Sequence, residues 1–161
     1  HNLKHGLIDG AFLYSYSKER ESFAVYPKLA NRIDESKSLA KINYFIYSKK
    51  SKTLDLNSLV KANLIVGVNS GSTLVEKLKH YPVEIVEVGT TERLIKMIVY
   101  DRISAAIIQE DRVNKHTPLL NDFEIIKQQA PFIYEKYYLI FSHRFYSENK
   151  FLAEEIWRKL N

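Results

Sequence analysis

The sequence predicts an α/β fold with a doubly wound layer, and three observations carry that expectation. Short apolar strand-like runs alternate with amphipathic helical stretches from Leu64 to Lys127, the pattern of strands joined by crossover helices. Within that region the β-branched run Leu64-Ile65-Val66 leads through Gly67-Val68-Asn69 into a Ser70-Gly71-Ser72-Thr73 turn, after which Leu74, Val75, Leu78 and Tyr81 mark one face of a helix. An aromatic run from Pro131 to Ser142 then precedes an amphipathic end, Glu148 to Leu160.

In chain order, Leu7 to Tyr14 reads as a first strand, followed by Ser15-Tyr16-Ser17 and the charged, helix-favouring turn Lys18-Glu19-Arg20-Glu21. An Arg beside Ser and Tyr at a strand end suits a carboxylate, because the guanidinium fork offers two parallel charge-assisted bonds. Flanked by Glu19 and Glu21, Arg20 equally has the pattern of a surface ion pair. Residues 28 to 41 are polar and irregular, Ile42 to Ser48 returns to a strand, and Lys49 to Asp55 is a polar linker and the expected internal boundary. A short turn at Leu56 to Leu59 precedes strand Leu64 to Val68 and helix Thr73 to His80, with Thr73 and Glu76 as a capping box and Pro82 as the stop. Strand Val83 to Val88, helix Thr91 to Tyr100, strand Ile103 to Ile108, a short helix or turn at Glu110 to His116 and strand Phe123 to Lys127 follow. The Ser70 to Thr73 turn thus lies at the carboxyl end of a strand, where open α/β sheets bind ligands. Its amides and hydroxyls are a natural seat for an anion, although Ser and Thr at such places also serve simply as helix caps.

Composition excludes several classes. With 161 residues and 45% hydrophobic side chains the chain can bury a core. No apolar run approaches the roughly 18 residues of a membrane span. The net charge of +5 is spread among acids, with Lys49-Lys50-Ser51-Lys52 the only purely basic run, so nucleic acid is not an expected partner. There is no Cys, and the five His show no ligand spacing, so neither a metal nor a catalytic site is expected. No cofactor motif is visible.

Five segments keep one order and spacing: Gly6 with Asp9, Ser17 through Arg20, Tyr44 to Lys49 with Leu56 to Leu59, Val66 to Thr73, and Asp101 through Ile108. This series resembles the extracytoplasmic solute-binding proteins of family 3, the polar amino-acid-binding type, whose pattern runs Gly-x-x-Asp, Thr-x-x-Arg, strand and linker, Ser-Gly-Ser/Thr-helix, and Gly-x-x-Asp-Ala. The resemblance implies a periplasmic-binding-protein-like two-lobe fold. Residues 1–48 would be part of lobe one, 54–130 a complete lobe two with a doubly wound sheet, and 131–161 the return crossing and C-terminal helix of lobe one, with the two crossings acting as hinges. Lobe one is expected to be incomplete, since the family has strands upstream of Gly6 and more chain beyond Trp157. The resemblance gives Arg20 the role of clamping a ligand carboxylate, helped by the Ser15 hydroxyl, with Tyr14 also expected at the ligand, and gives Ser70, Gly71, Ser72 and Thr73 the contact from the other lobe. Gln109 stands where the family places the Asp that pairs with an α-ammonium, and Ser104 stands for the structural Asp of Gly-x-x-Asp-Ala.

What this implies is a monomeric periplasmic or extracytoplasmic protein that traps a small carboxylate-bearing ligand between two lobes and delivers it to an ABC transporter permease. The same fold also serves as a ligand-sensing ectodomain of a signalling protein or as a regulatory domain of a cell-wall enzyme. An enzyme that dehydrates small acids would need a general acid or base at the site, and Glu110 or Asp111 is the candidate; a solvated helix start explains both acids equally well.

Overall fold

The computed structural model describes residues 2–61 and 63–160, and of residues 60 and 61 the backbone alone. His1, one of the five His tested for ligand spacing, lies outside the described residues. The elements begin with β1 (Gly10–Ser15), α1 (Lys18–Glu21), β2 (Ala24–Val25), β3 (Lys28–Leu29), β4 (Arg32–Ile33), β5 (Ala40–Lys49), α2 (Leu56–Lys61), β6 (Leu64–Asn69) and α3 (Leu74–Leu78). They continue with β7 (Val83–Val88), α4 (Thr91–Val99), β8 (Ala105–Gln109), α5 (Glu110–Asn114), α6 (Thr117–Asp122), β9 (Ile125–Lys127), β10 (Ile133–Ser142), α7 (His143–Glu148) and α8 (Lys150–Lys159). The chain forms two compact units, residues 1–42 with 135–161 and residues 43–134, so both exchanges fall inside strands, β5 and β10. The Lys49 to Asp55 stretch belongs to the second unit, where Lys50–Lys52 forms a 3-10 turn.

In the first unit β10 pairs antiparallel with β1 and with β2. Leu3, Ala24, Tyr26, Tyr138 and Ile140 pack together, and Leu139 and Phe141 pack with Ala153 and Trp157 of α8. The stretch expected to be irregular, 28 to 41, contains the β3–β4 hairpin and a 3-10 turn capped by the Asp34 carboxylate. The C-terminal region is two helices instead of one. Ser142 caps α7 by accepting from the Phe145 amide, and Asn149, at φ −131 and ψ 38, breaks the path before α8.

In the second unit β6 runs parallel to β7 and β8, and β5 is antiparallel to β8 and β9. The layer is therefore mixed, with β8, β6 and β7 parallel and β7 at the edge. Its core joins Leu94, Ile95 and Ile98 of α4 to Phe45, Tyr47, Ala106, Ile108 and Ile103. Ile103, expected to open a strand, instead lies in the connection before β8 and fills this core. Ser104 ties that connection to the start of β6: its amide donates to the Ile65 carbonyl at 2.8 Å and its hydroxyl accepts from the Ile65 amide at 3.4 Å. β6, β7, α4 and α8 lie within two residues of where periodicity placed them.

Candidate functional site

In the first unit β1 delivers Tyr14 and Ser15 to the start of α1. Ser17 caps that helix, its hydroxyl accepting from the Arg20 amide at 3.2 Å, which fixes the backbone that carries Arg20. The Arg20 guanidinium then turns back on β1. Nη1 donates to the Ser15 carbonyl at 2.9 Å and to the Ser15 hydroxyl at 2.8 Å, and the guanidinium carbon lies 5.3 Å from the centre of the Tyr14 ring. Tyr26, 1% exposed, donates its hydroxyl to the same Ser15 carbonyl at 2.8 Å. Burial pushes the Tyr26 phenol pKa up, and the charge of Arg20 works against that shift. The Glu21 carboxylate pairs with Lys28 at 2.6 Å and accepts from Tyr16 at 2.9 Å. The Lys28 bond holds the Glu21 carboxyl below the usual carboxylate range. Tyr14, Ser15 and Arg20 are thus one cluster, held by the two bonds of Nη1 to Ser15 and by the guanidinium lying over the Tyr14 ring.

In the second unit the parallel register carries the ends of β6, β7 and β8 to one edge, with Asn69 beside Val88. The Ser70 to Thr73 turn sits at that edge, but its amides are spent differently from expectation. Ser70 donates to the Val88 carbonyl at 3.0 Å, Gly71 to the Glu87 carboxylate at 3.1 Å, Ser72 to the Asn69 carbonyl at 3.1 Å, and Leu74 to the Ser72 hydroxyl at 3.2 Å. A turn of open amides awaiting an anion is therefore corrected to a turn that binds its own chain, with an internal carboxylate on Gly71. The capping box is corrected as well: Thr73 has helical backbone angles and no side-chain capping bond, and Ser72 supplies the cap. Ser70 and Gly71 remain exposed, Ser72 is half-buried and Thr73 is buried. Asn69, beside the turn, has a buried side-chain Nδ2 with no hydrogen-bond partner.

Gln109 is 9% exposed and lies opposite Tyr44 in the antiparallel register, its Nε2 donating to the Tyr44 hydroxyl at 3.1 Å. Although it stands at the N-cap of α5, its side chain makes no capping bond. Glu110 is ion-paired with Lys127, whose ammonium lies 4.4 Å from the centre of the Phe45 ring, and Asp111 is exposed. This arrangement matches the solvated helix start and gives no support to a buried acid or base. Among the described residues no group of three or more His, Cys, Asp or Glu could hold a metal ion. Sequence reasoning did not single out Tyr26, Tyr44 or Glu87. Each acts through a pairing between segments, and the sole local sign was an acid, Glu87, in an otherwise apolar strand end.

No family model and no curated protein matches this sequence. Solved structures match over 99% of the chain. An ancestral arginine-binding protein bound to arginine aligns with a TM-score of 0.73 at 17% identity over 67% of its own length. An amino acid ABC transporter substrate-binding protein, AbpA from Streptococcus pneumoniae, bound to L-arginine, aligns at 0.67 and 17% over 63% of its length. The GluR0 ligand-binding core in complex with L-glutamate aligns at 0.69 and 11% over 73% of its length. The chain thus spans about two thirds of the structures it resembles. Its fold is the periplasmic-binding-protein-like α/β fold of amino-acid-binding proteins.

Proposed function

We propose that this chain is the ligand-binding part of an extracytoplasmic solute-binding protein that traps a small carboxylate-bearing molecule between its lobes for an ABC transporter. The observation that carries the reading is the Arg20 cluster, in which two oxygens of Ser15 and the Tyr14 ring orient the guanidinium. Holding a flexible cation in place beforehand removes part of the ordering cost of binding. The names of the matched structures support the class of ligand, since arginine and glutamate both carry carboxylates. In this reading Ser70, Ser72 and Thr73 contribute hydroxyls from the second unit, and the protein works as an extracytoplasmic monomer without a cofactor. Among the described residues no helix is long and apolar enough to cross a membrane.

Calorimetric titration of the full-length protein tests the clamp. Arg20→Ala should weaken binding of the carboxylate ligand by about 2–3 kcal/mol, roughly 30- to 150-fold in Kd, with the thermal transition retained; unchanged affinity would refute it. Gln109 refines the ligand. A neutral amide committed to Tyr44 cannot neutralise a buried ammonium, so a thermal-shift screen should favour carboxylates without a free α-ammonium over ordinary α-amino acids. Selective stabilisation by one standard amino acid would overturn that refinement. The match to the GluR0 ligand-binding core supports a second reading, a sensor ectodomain, which a signalling segment in the same gene would decide.

A further inference from the structure

The second unit holds a cavity of about 270 Å³ at the edge of its sheet remote from the Ser70 to Thr73 turn. It opens where β6 begins, at Leu64 and Ile65, whereas the turn follows the end of the same strand; six strand residues separate the two by about 17 Å. Its floor is apolar. Ile98 from the last turn of α4 and Ile103 are buried core residues that also line the cavity, and Leu54 and Leu64, both half-buried, form its walls. Its rim is cationic, with Lys49, Lys52 and Arg102 set against a single acid, Asp101. Asp101 adopts φ 53, a left-handed conformation, and its carboxylate receives Lys49 at 2.6 Å and Lys52 at 3.1 Å. One acid thereby gathers two ammonium groups at the mouth of an apolar hole, and the Lys52 and Asp101 side chains stay more than half exposed.

We propose that this cavity is a second binding site, for a small amphipathic anion: a short apolar chain that lies on Leu54, Leu64, Ile98 and Ile103 and ends in a carboxylate met by Lys52 and Arg102. Three cations against one acid select a negative head group, and the apolar floor gains free energy only from a tail that it takes out of water. The site is independent of the Arg20 clamp and stands or falls without it.

The test is a titration of the full chain with octanoate, followed by amide chemical shifts, with octanol and acetate as controls that keep only the tail or only the head. Saturable shifts confined to residues 49–54, 64–65 and 98–104 are expected, with Kd at least tenfold weaker for both controls. Lys52→Gln combined with Arg102→Gln changes two exposed side chains and should weaken octanoate at least tenfold while leaving the spectrum folded. Shifts that scatter without saturating, an octanol affinity equal to that of octanoate, or an unchanged Kd in the folded double variant would each overturn the proposal.

Discussion

Gly67 and Asp101 show how much single positions constrain this fold. A Cβ on Gly67 would stand 2.6 Å from both Ile103 Cδ1 and Leu94 Cδ2. Terminal methyls swing aside cheaply where there is room, but both side chains are buried in one packed cluster. Gly67→Ala is therefore expected to cost about 1–3 kcal/mol, read as a lower Tm in scanning calorimetry; an unchanged Tm would mean that the cluster yields. At Asp101 the left-handed φ of 53 suits an Asp, since L side chains other than Asn and Asp pay about 1–2 kcal/mol for that conformation. Asp101→Asn should keep the backbone and give up the two lysine bonds, while Asp101→Val should add the conformational cost. Urea unfolding that ranks the valine variant no lower than the asparagine one would contradict this account. The Arg20 cluster was legible at this scale because strand end, serine cap and arginine all lie within seven residues, 14 to 20.

Elements defined by their own periodicity were legible, and those defined by competition between neighbours were not. β7 and α4 needed only an apolar period of two or of 3.6, and Thr90 caps α4 as a β-region residue whose hydroxyl accepts from the Arg93 amide. At α3 three hydroxyl residues in four positions offered rival caps. The Thr73–Glu76 spacing favoured one, yet the backbone angles gave the role to Ser72. α7 carried no helical stripe of its own: Phe145 stacks on Phe141, and Tyr146 packs against Trp157 of α8, so tertiary contact decides its shape. The amides of the Ser70 to Thr73 turn could not be read for a similar reason, because Gly71 is satisfied by Glu87, sixteen residues away on the neighbouring strand. Thr90→Ala and Ser72→Ala should each cost about 1 kcal/mol as lost caps. A Ser72→Ala variant as stable as wild type in urea would show that the Leu74 amide finds another acceptor.

At the scale of the whole molecule, both units bury phenols, Tyr26 and Tyr138 in the first and Tyr47 in the second, and the half-buried Tyr146 of the first unit shares their upward pKa shift. Burial is the main cause in all four and pushes each pKa upward, to about 12 for Tyr138 and for Tyr146, where the bond to Glu154 adds to the effect. An unfolded tyrosine titrates near 10. A group whose pKa is raised by folding stabilises the fold fully below its unfolded pKa, and that contribution disappears as pH rises through the folded value. Stability should therefore hold up to about pH 10 and fall as pH rises beyond it, through about 12 for Tyr138 and Tyr146 and further for Tyr26 and Tyr47, as the unfolded chain gives up protons that the folded chain retains. Followed by tyrosinate absorbance and by circular dichroism on the same samples, ionisation of these four phenols should coincide with loss of secondary structure in that window. Complete ionisation of all eleven tyrosines near pH 10 with the dichroism intact would show that water reaches these rings in the folded chain, and would remove the burial on which both units are built.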